Sequence, residues 1–249
     1  MSAFRTVKQF LAPWKHTAPS RAARFVYRYL FDPAARSVAR LSLSKPRNLF
    51  QPYNDTKPDR YPALFRATDE IIGDGSGRRL LSFGCSTGEE VQGLRARHPH
   101  AFIKGIDINP HNIAVCRRKL RDVPQSALAF EIAGTTDSEA SASYDAIFCL
   151  AVLRHGDLRA ENVMRCDHLV RFADFERQVA DFARCLKVGG LLALRFSNFR
   201  FVDTAVAAQF EIVLSLDRPA GMPQFGPDNC RLPPLPLEDS LFRKLRDNT

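Results

Sequence analysis

No run in this chain approaches the ~20 uncharged apolar residues that a membrane-spanning helix requires. It also lacks a compact apolar segment followed by a cleavage site, which argues against secretion. The six cysteines (85, 116, 149, 166, 185, 230) form no C-x-x-C pair and no metal-like Cys/His spacing, so no metal site is expected. Several lie inside apolar runs, where free cysteine serves as a small core residue, and a reducing cytoplasmic setting follows. No histidine comes after His168, and no acid comes before Asp32.

Charge is present but uneven. The net charge is +9. Residues 1–50 hold ten Lys/Arg against Asp32 alone, and the rest of the chain is balanced at 26 of each sign. The basic character therefore belongs to an N-terminal arm and not to the main body. Phe25, Val26, Tyr29 and Leu30 gather on one helical face, with Arg21, Arg24 and Arg28 on another. A second piece runs from Pro33 to Leu43. Such an arm fits an anionic membrane surface, a cap on the core, or an organelle transit peptide. A neutral main body argues against a nucleic-acid substrate, although RNA held by the arm stays open.

Residues 51–78 read as a linker and a capping helix over 63–72, and 79–249 as the main domain. There, strands are expected at 79–83, 101–106, 127–132, 145–150, 190–196, 210–216 and 241–245. Helices are expected at 87–97, 110–121 and 168–186, the last ended by Gly189-Gly190. Alternating β and α elements imply an α/β fold, a Rossmann-like, doubly wound, mainly parallel seven-stranded sheet.

The most informative stretch is Leu80-Leu81-Ser82-Phe83-Gly84-Cys85-Ser86-Thr87-Gly88-Glu89-Glu90. An apolar strand stops at a small-residue turn that opens a helix, a shape suited to close approach of backbone to a ligand. Three chemistries could use it: a nucleotide-cofactor loop, a nucleophile elbow of the G-x-S-x-G type, or mere close packing of helix on strand. The elbow needs a later histidine, and the 81 residues after His168 contain none. Asp107 ends the second expected strand nineteen residues beyond Gly88, where a carboxylate accepts hydrogen bonds from ribose hydroxyls. A dinucleotide loop would have a different glycine spacing. Glu89 and Glu90 in the helix's first turn would repel a pyrophosphate and favour an ammonium or sulfonium.

On these residues the chain resembles the class I S-adenosylmethionine-dependent methyltransferases over roughly 62–216. Leu81–Gly88 resembles their first motif, Ile106–Asn109 their second, and Tyr144–Leu150 their strand 4 motif. Leu186–Leu192 resembles the turn into their fifth strand. The Ser-Thr-Gly-Glu-Glu run is similar to the chemotaxis receptor methyltransferases. The resemblance implies S-adenosyl-L-methionine as cofactor, packed on Gly84, Cys85, Ser86, Gly88 and Leu150. Glu89 would take its ammonium, Asp107 its ribose, and Ile108, Gly134 and Thr135 its adenine. The family usually carries an acid where Ser82 stands.

A small-molecule O or N acceptor is expected, with His155 after the fourth strand as a base near neutral pH. The six prolines of 217–239 suggest an ordered loop or a substrate lid carrying Phe225, Asp228 and Asn229, assisted by Tyr53, Asn54 and Tyr61. A non-catalytic cofactor-binding or membrane-associated protein is the alternative, and an NAD-dependent oxidoreductase the third reading.

Overall fold

A computed structural model describes residues 18–53, 56, 60–159, 163–219 and 221–247. The chain divides into two units, Met1–Lys45 and Pro46–Thr249. The first holds α1 (Ala18–Phe31) and α2 (Pro33–Ser44). Asp32 caps α2: its Oδ1 accepts from the amides of Ala34 and Ala35 at 3.0 and 3.1 Å, with Pro33 supplying the pre-set φ of a first helical residue. On α1, Phe25, Val26, Tyr27, Leu30 and Phe31 are all more than half exposed. Among the described residues no helix is long and apolar enough to cross a membrane.

The second unit is built on one seven-stranded sheet in the order β3-β2-β1-β4-β5-β7-β6. Its strands are β1 (Arg79–Phe83), β2 (Phe102–Asp107), β3 (Leu128–Ile132), β4 (Tyr144–Leu150), β5 (Leu186–Arg195), β6 (Phe210–Asp217) and β7 (Leu237–Lys244). The first five pair in parallel, and β7 runs antiparallel to both β5 and β6. β1 and β4 are buried almost end to end, as central parallel strands covered on both faces must be. One face is packed by α6 (Phe172–Cys185) through Phe172, Phe175, Val179 and Phe182. The other carries α3 (Pro62–Ile72), α4 (Glu89–Arg97) and α5 (Pro110–Lys119), which supply Leu64, Phe65, Val91, Leu94 and Ile113. The sheet order reverses between β1 and β4, and ligands of open α/β sheets bind outside the carboxyl ends of strands at such a point.

Two expectations need correction. Gly189 and Gly190 do not end the long helix, which stops at Cys185. They lie inside β5, where pairing steps from Tyr144–Leu186 to Ala146–Leu191, and Gly189 takes the left-handed φ of 82° that this bulge needs. Fully buried Leu186 already belongs to the sheet, and Lys187 reaches back to Asp145 at 2.8 Å. The final strand also begins earlier than expected, at Leu237.

The proline-rich segment before β7 leaves the carboxyl edge of the sheet, and it is tied down. Phe225 is fully buried in the main core, its amide donating to the Asn198 carbonyl at 2.8 Å. Asn229 Oδ1 accepts from the Phe172 amide at 2.7 Å, so this distant loop satisfies the first turn of α6. Asn229→Ala should therefore lower the stability of the domain by about 1 kcal/mol, the usual worth of such a cap. Chemical denaturation checks this, and an unchanged midpoint would mean the contact is dispensable.

Candidate active site

The turn between β1 and α4 alternates left-handed positions: Gly84 at φ 72°, Ser86 at 49° and Gly88 at 93°. Glycine is required at 84 for space as well as for φ, because a Cβ there would lie 2.4 Å from Val152 Cγ2. Ser86 is a non-glycine residue in a sparsely populated region, a placement that the surroundings must enforce. They do so through Asp107 at the tip of β2. Its Oδ2 accepts from the Ser86 amide at 2.8 Å, while Oδ1 accepts from the Asn109 amide at 2.8 Å and from Asn112 Nδ2 at 3.1 Å. The Gly84 and Cys85 amides both donate to the Ile106 carbonyl. Burial raises the pKa of the Asp107 carboxyl and these bonds oppose the rise. A carboxylate has about four lone-pair sites, so a further donor can still be received.

The two acids of α4 go to different places. Glu89 is bound to Lys119 Nζ at 2.6 Å and to the Thr87 hydroxyl at 2.7 Å. The expected ammonium ligand is thus already paired with a cation of α5. Glu90 turns inward, and its Oε1 accepts from the Ser82 hydroxyl at 2.7 Å. A carboxylate therefore does stand at the end of β1, delivered from eight residues downstream. Burial pushes the Glu90 carboxyl up to about 7, against the opposing Ser82 bond.

Around this centre the expected adenine residues meet. A Cβ on Gly134, just past β3, would lie 2.8 Å from Ile108 Cδ1, so Ile108 covers that glycine, with partly buried Thr135 next in sequence. Leu150 ends β4 opposite Arg195 and is 9% exposed. Cys85 offers only its backbone to a ligand, because its side chain is buried within 3.0 Å of where a Gly105 Cβ would be. Gly88 presses on Cys116.

Past β4 lies a second group. His155 and Tyr53 stack edge to face at 6.0 Å, and the Tyr53 hydroxyl donates to Asp157 at 3.3 Å. Asp157 Oδ2 lies 3.8 Å from His155 Nδ1, and the His155 amide donates to Asn198 Oδ1 at 2.7 Å. Tyr61 packs on Phe196 at 5.4 Å, its phenol pushed up to about 12 by burial. The Tyr61 and Ser86 hydroxyls are both buried with no partner among the described residues. Asn54 lies outside the described residues. Phe225 and Asn229 serve the core and a helix end, and Asp228 accepts from the Cys230 amide at 3.0 Å. Full burial removes Phe225 from direct substrate contact in this conformation. Sequence reasoning missed Glu90 as the partner of Ser82, and Arg154, considered below. The unusual serine at 82, followed by two acids, was the available signal for the first.

Residues 81–192 match the family model described as a methyltransferase domain. The matched segment runs from β1 into β5 and so takes in the parallel, Rossmann-like part of the sheet. Similar solved structures include the O-methyltransferase segment 961–1257 of StiE, at 16% identity and TM-score 0.46, covering 78% of this chain and 61% of that one. Geranyl diphosphate C-methyltransferase from Streptomyces coelicolor A3(2) shows 16% identity and TM-score 0.39, over 53% and 44%. Phosphoethanolamine N-methyltransferase 2 from Haemonchus contortus shows 13% and 0.40, over 67% and 34%. The chain spans less than two thirds of the length of each. No curated protein matches it.

The cofactor fits the residues present. The buried, unpartnered Ser86 Oγ, an Asp107 carboxylate with acceptor capacity left, and the Glu90 carboxylate suit a ligand bearing hydroxyls and a cation. Glu90 also makes stability pH-dependent. Its carboxyl titrates near 7 when folded and near the ordinary glutamate value of about 4.3 when unfolded. Between these values the folded state binds more protons, so stability falls as pH rises through the window. Melting of ligand-free protein from pH 4.5 to 7.5 should show this decline, and Glu90→Gln should flatten it; identical slopes would remove Glu90 as its source.

Proposed function

We propose that the protein transfers a methyl group from S-adenosylmethionine to an oxygen or nitrogen of a small molecule. The observation that carries this reading is the pair of carboxylates at adjacent strand ends, Glu90 on Ser82 of β1 and Asp107 at the end of β2. In this reading Glu90, and not Glu89, takes the ammonium, while Asp107 and Ser86 take the ribose. Ile108 and Gly134 form the wall for adenine, with Thr135 and Leu150 at its margin. The cofactor supplies a sulfonium methyl that the acceptor's lone pair displaces in line, so the protein's task is largely positioning.

His155 is the candidate base for a hydroxyl or ammonium acceptor. Tyr53 and Asp157 orient it, and the Asn198 bond fixes its backbone. The segment 218–236, at the same sheet edge, borders the acceptor through its exposed residues. Incubation with methyl-labelled cofactor and a metabolite extract should yield a labelled small molecule. His155→Ala should cut that labelling by roughly 10²–10⁴-fold, the usual contribution of a general base, without weakening cofactor binding. Labelling at the wild-type rate would exclude His155.

A second property rests on α1, whose exposed apolar residues lie on a strongly basic segment. We propose that this arm contacts anionic membranes peripherally. The full chain should float with phosphatidylserine vesicles and much less at high salt; equal behaviour with neutral vesicles would contradict an electrostatic contact.

A further inference from the structure

Arg154 is a buried cation with no ion pair among the described residues. It sits in the loop leaving the carboxyl end of β4 and is only 7% exposed. Its guanidinium makes no hydrogen bond or ion pair with the described residues, and its Nε is closed to solvent. Its backbone is fixed, the amide donating to the Val152 carbonyl at 2.8 Å. Desolvation, and after it the neighbouring Arg159, lower its pKa, with Tyr61 acting in the opposite sense and Arg60 and Arg218 adding to the fall. The other buried arginines of this edge are matched. Arg218 lies 2.8 Å from Glu238, and Arg195 donates to Ser240 at 2.9 Å and lies 3.6 Å from Glu238. Arg60 lies over the Tyr61 ring at 5.5 Å.

A guanidinium left unpaired in a desolvated place is strongly unfavourable unless an anion arrives. Tyr61 offers a hydroxyl donor that is closed to solvent and has no partner among the described residues. Together they present a planar donor fork and one O–H with no acceptor among the described residues, the pattern that receives an oxyanion. We propose that Arg154 and Tyr61 bind an anionic group, a phosphate or carboxylate, of the methyl acceptor, with the neighbouring Arg159 lending it further positive field. The assignment to the acceptor rests on the methyltransferase reading above. The cofactor's own carboxylate is the other source of the same chemistry. The acceptor is favoured because Arg154 follows β4 directly before His155, the candidate base.

Calorimetry on the full chain separates the sources. S-adenosylhomocysteine is titrated into wild type, Arg154→Met and Tyr61→Phe; inorganic phosphate and acetate are then titrated into the loaded and unloaded proteins at fixed ionic strength. The wild type should bind at least one of the two anions. Arg154→Met should lose that binding at least tenfold, keep its affinity for S-adenosylhomocysteine within about twofold, and melt at a higher temperature than wild type because a buried charge is gone. Tyr61→Phe, which keeps the ring and its packing, should weaken the anion without shifting the melt. A wild type that takes neither anion overturns the proposal. So does an Arg154→Met protein that loses S-adenosylhomocysteine instead, or one that melts lower with its anion affinity unchanged. Failure of every protein to bind S-adenosylhomocysteine would strike the methyltransferase reading, and the assignment to its acceptor with it, whereas loss of the anion alone would not touch that reading.

Discussion

The carboxylate of Asp107 is the interaction on which the site depends. By accepting from the Ser86 and Asn109 amides it ties the turn after β1 to the turn after β2. Ser86 stays in a left-handed conformation because its amide is held there, and α5 starts where it does because Asn109 is fixed and caps it through the His111 amide. Burying a carboxylate costs free energy that its three hydrogen bonds offset. The same desolvation makes it a strong acceptor for any further hydroxyl.

Charge is organised along the carboxyl edge in two zones. Near β1 and β2 the uncompensated groups are acids, Glu90 and Asp107. Beyond β4 it is a cation, Arg154, which has no ion pair among the described residues. Tyr61 lies between, within the electrostatic reach of Glu90, Arg154 and Arg195. A cationic cofactor at one end and an anionic acceptor at the other would each meet the opposite sign, and low local dielectric strengthens both attractions.

Much of this was legible in the sequence because it is local. The strand–turn–helix at 79–97, the aspartate ending β2 and the apolar face of Phe172, Phe175, Val179 and Phe182 each declare themselves within a few residues. The parts that were not legible depend on contacts across the fold. Nothing near Glu89 announces Lys119, thirty residues away, so their ion pair is invisible to a local reading. The glycines at 189 and 190 look like a helix stop, yet the pairing of Leu186 with Tyr144 had already begun the strand. Phe225 and Asn229 read as loop residues open to substrate because their partners, the core and the end of α6, are distant in sequence. The Ser82 anomaly was visible; its resolution by Glu90 needed the turn's geometry.

The central claim is that these two carboxylates form a site for S-adenosylmethionine and not for a dinucleotide. Titration of S-adenosylhomocysteine and of NADH into the same protein tests it most directly. The account predicts micromolar binding of S-adenosylhomocysteine, weakened in Glu90→Gln, with no detectable NADH. Binding of NADH without S-adenosylhomocysteine would contradict it.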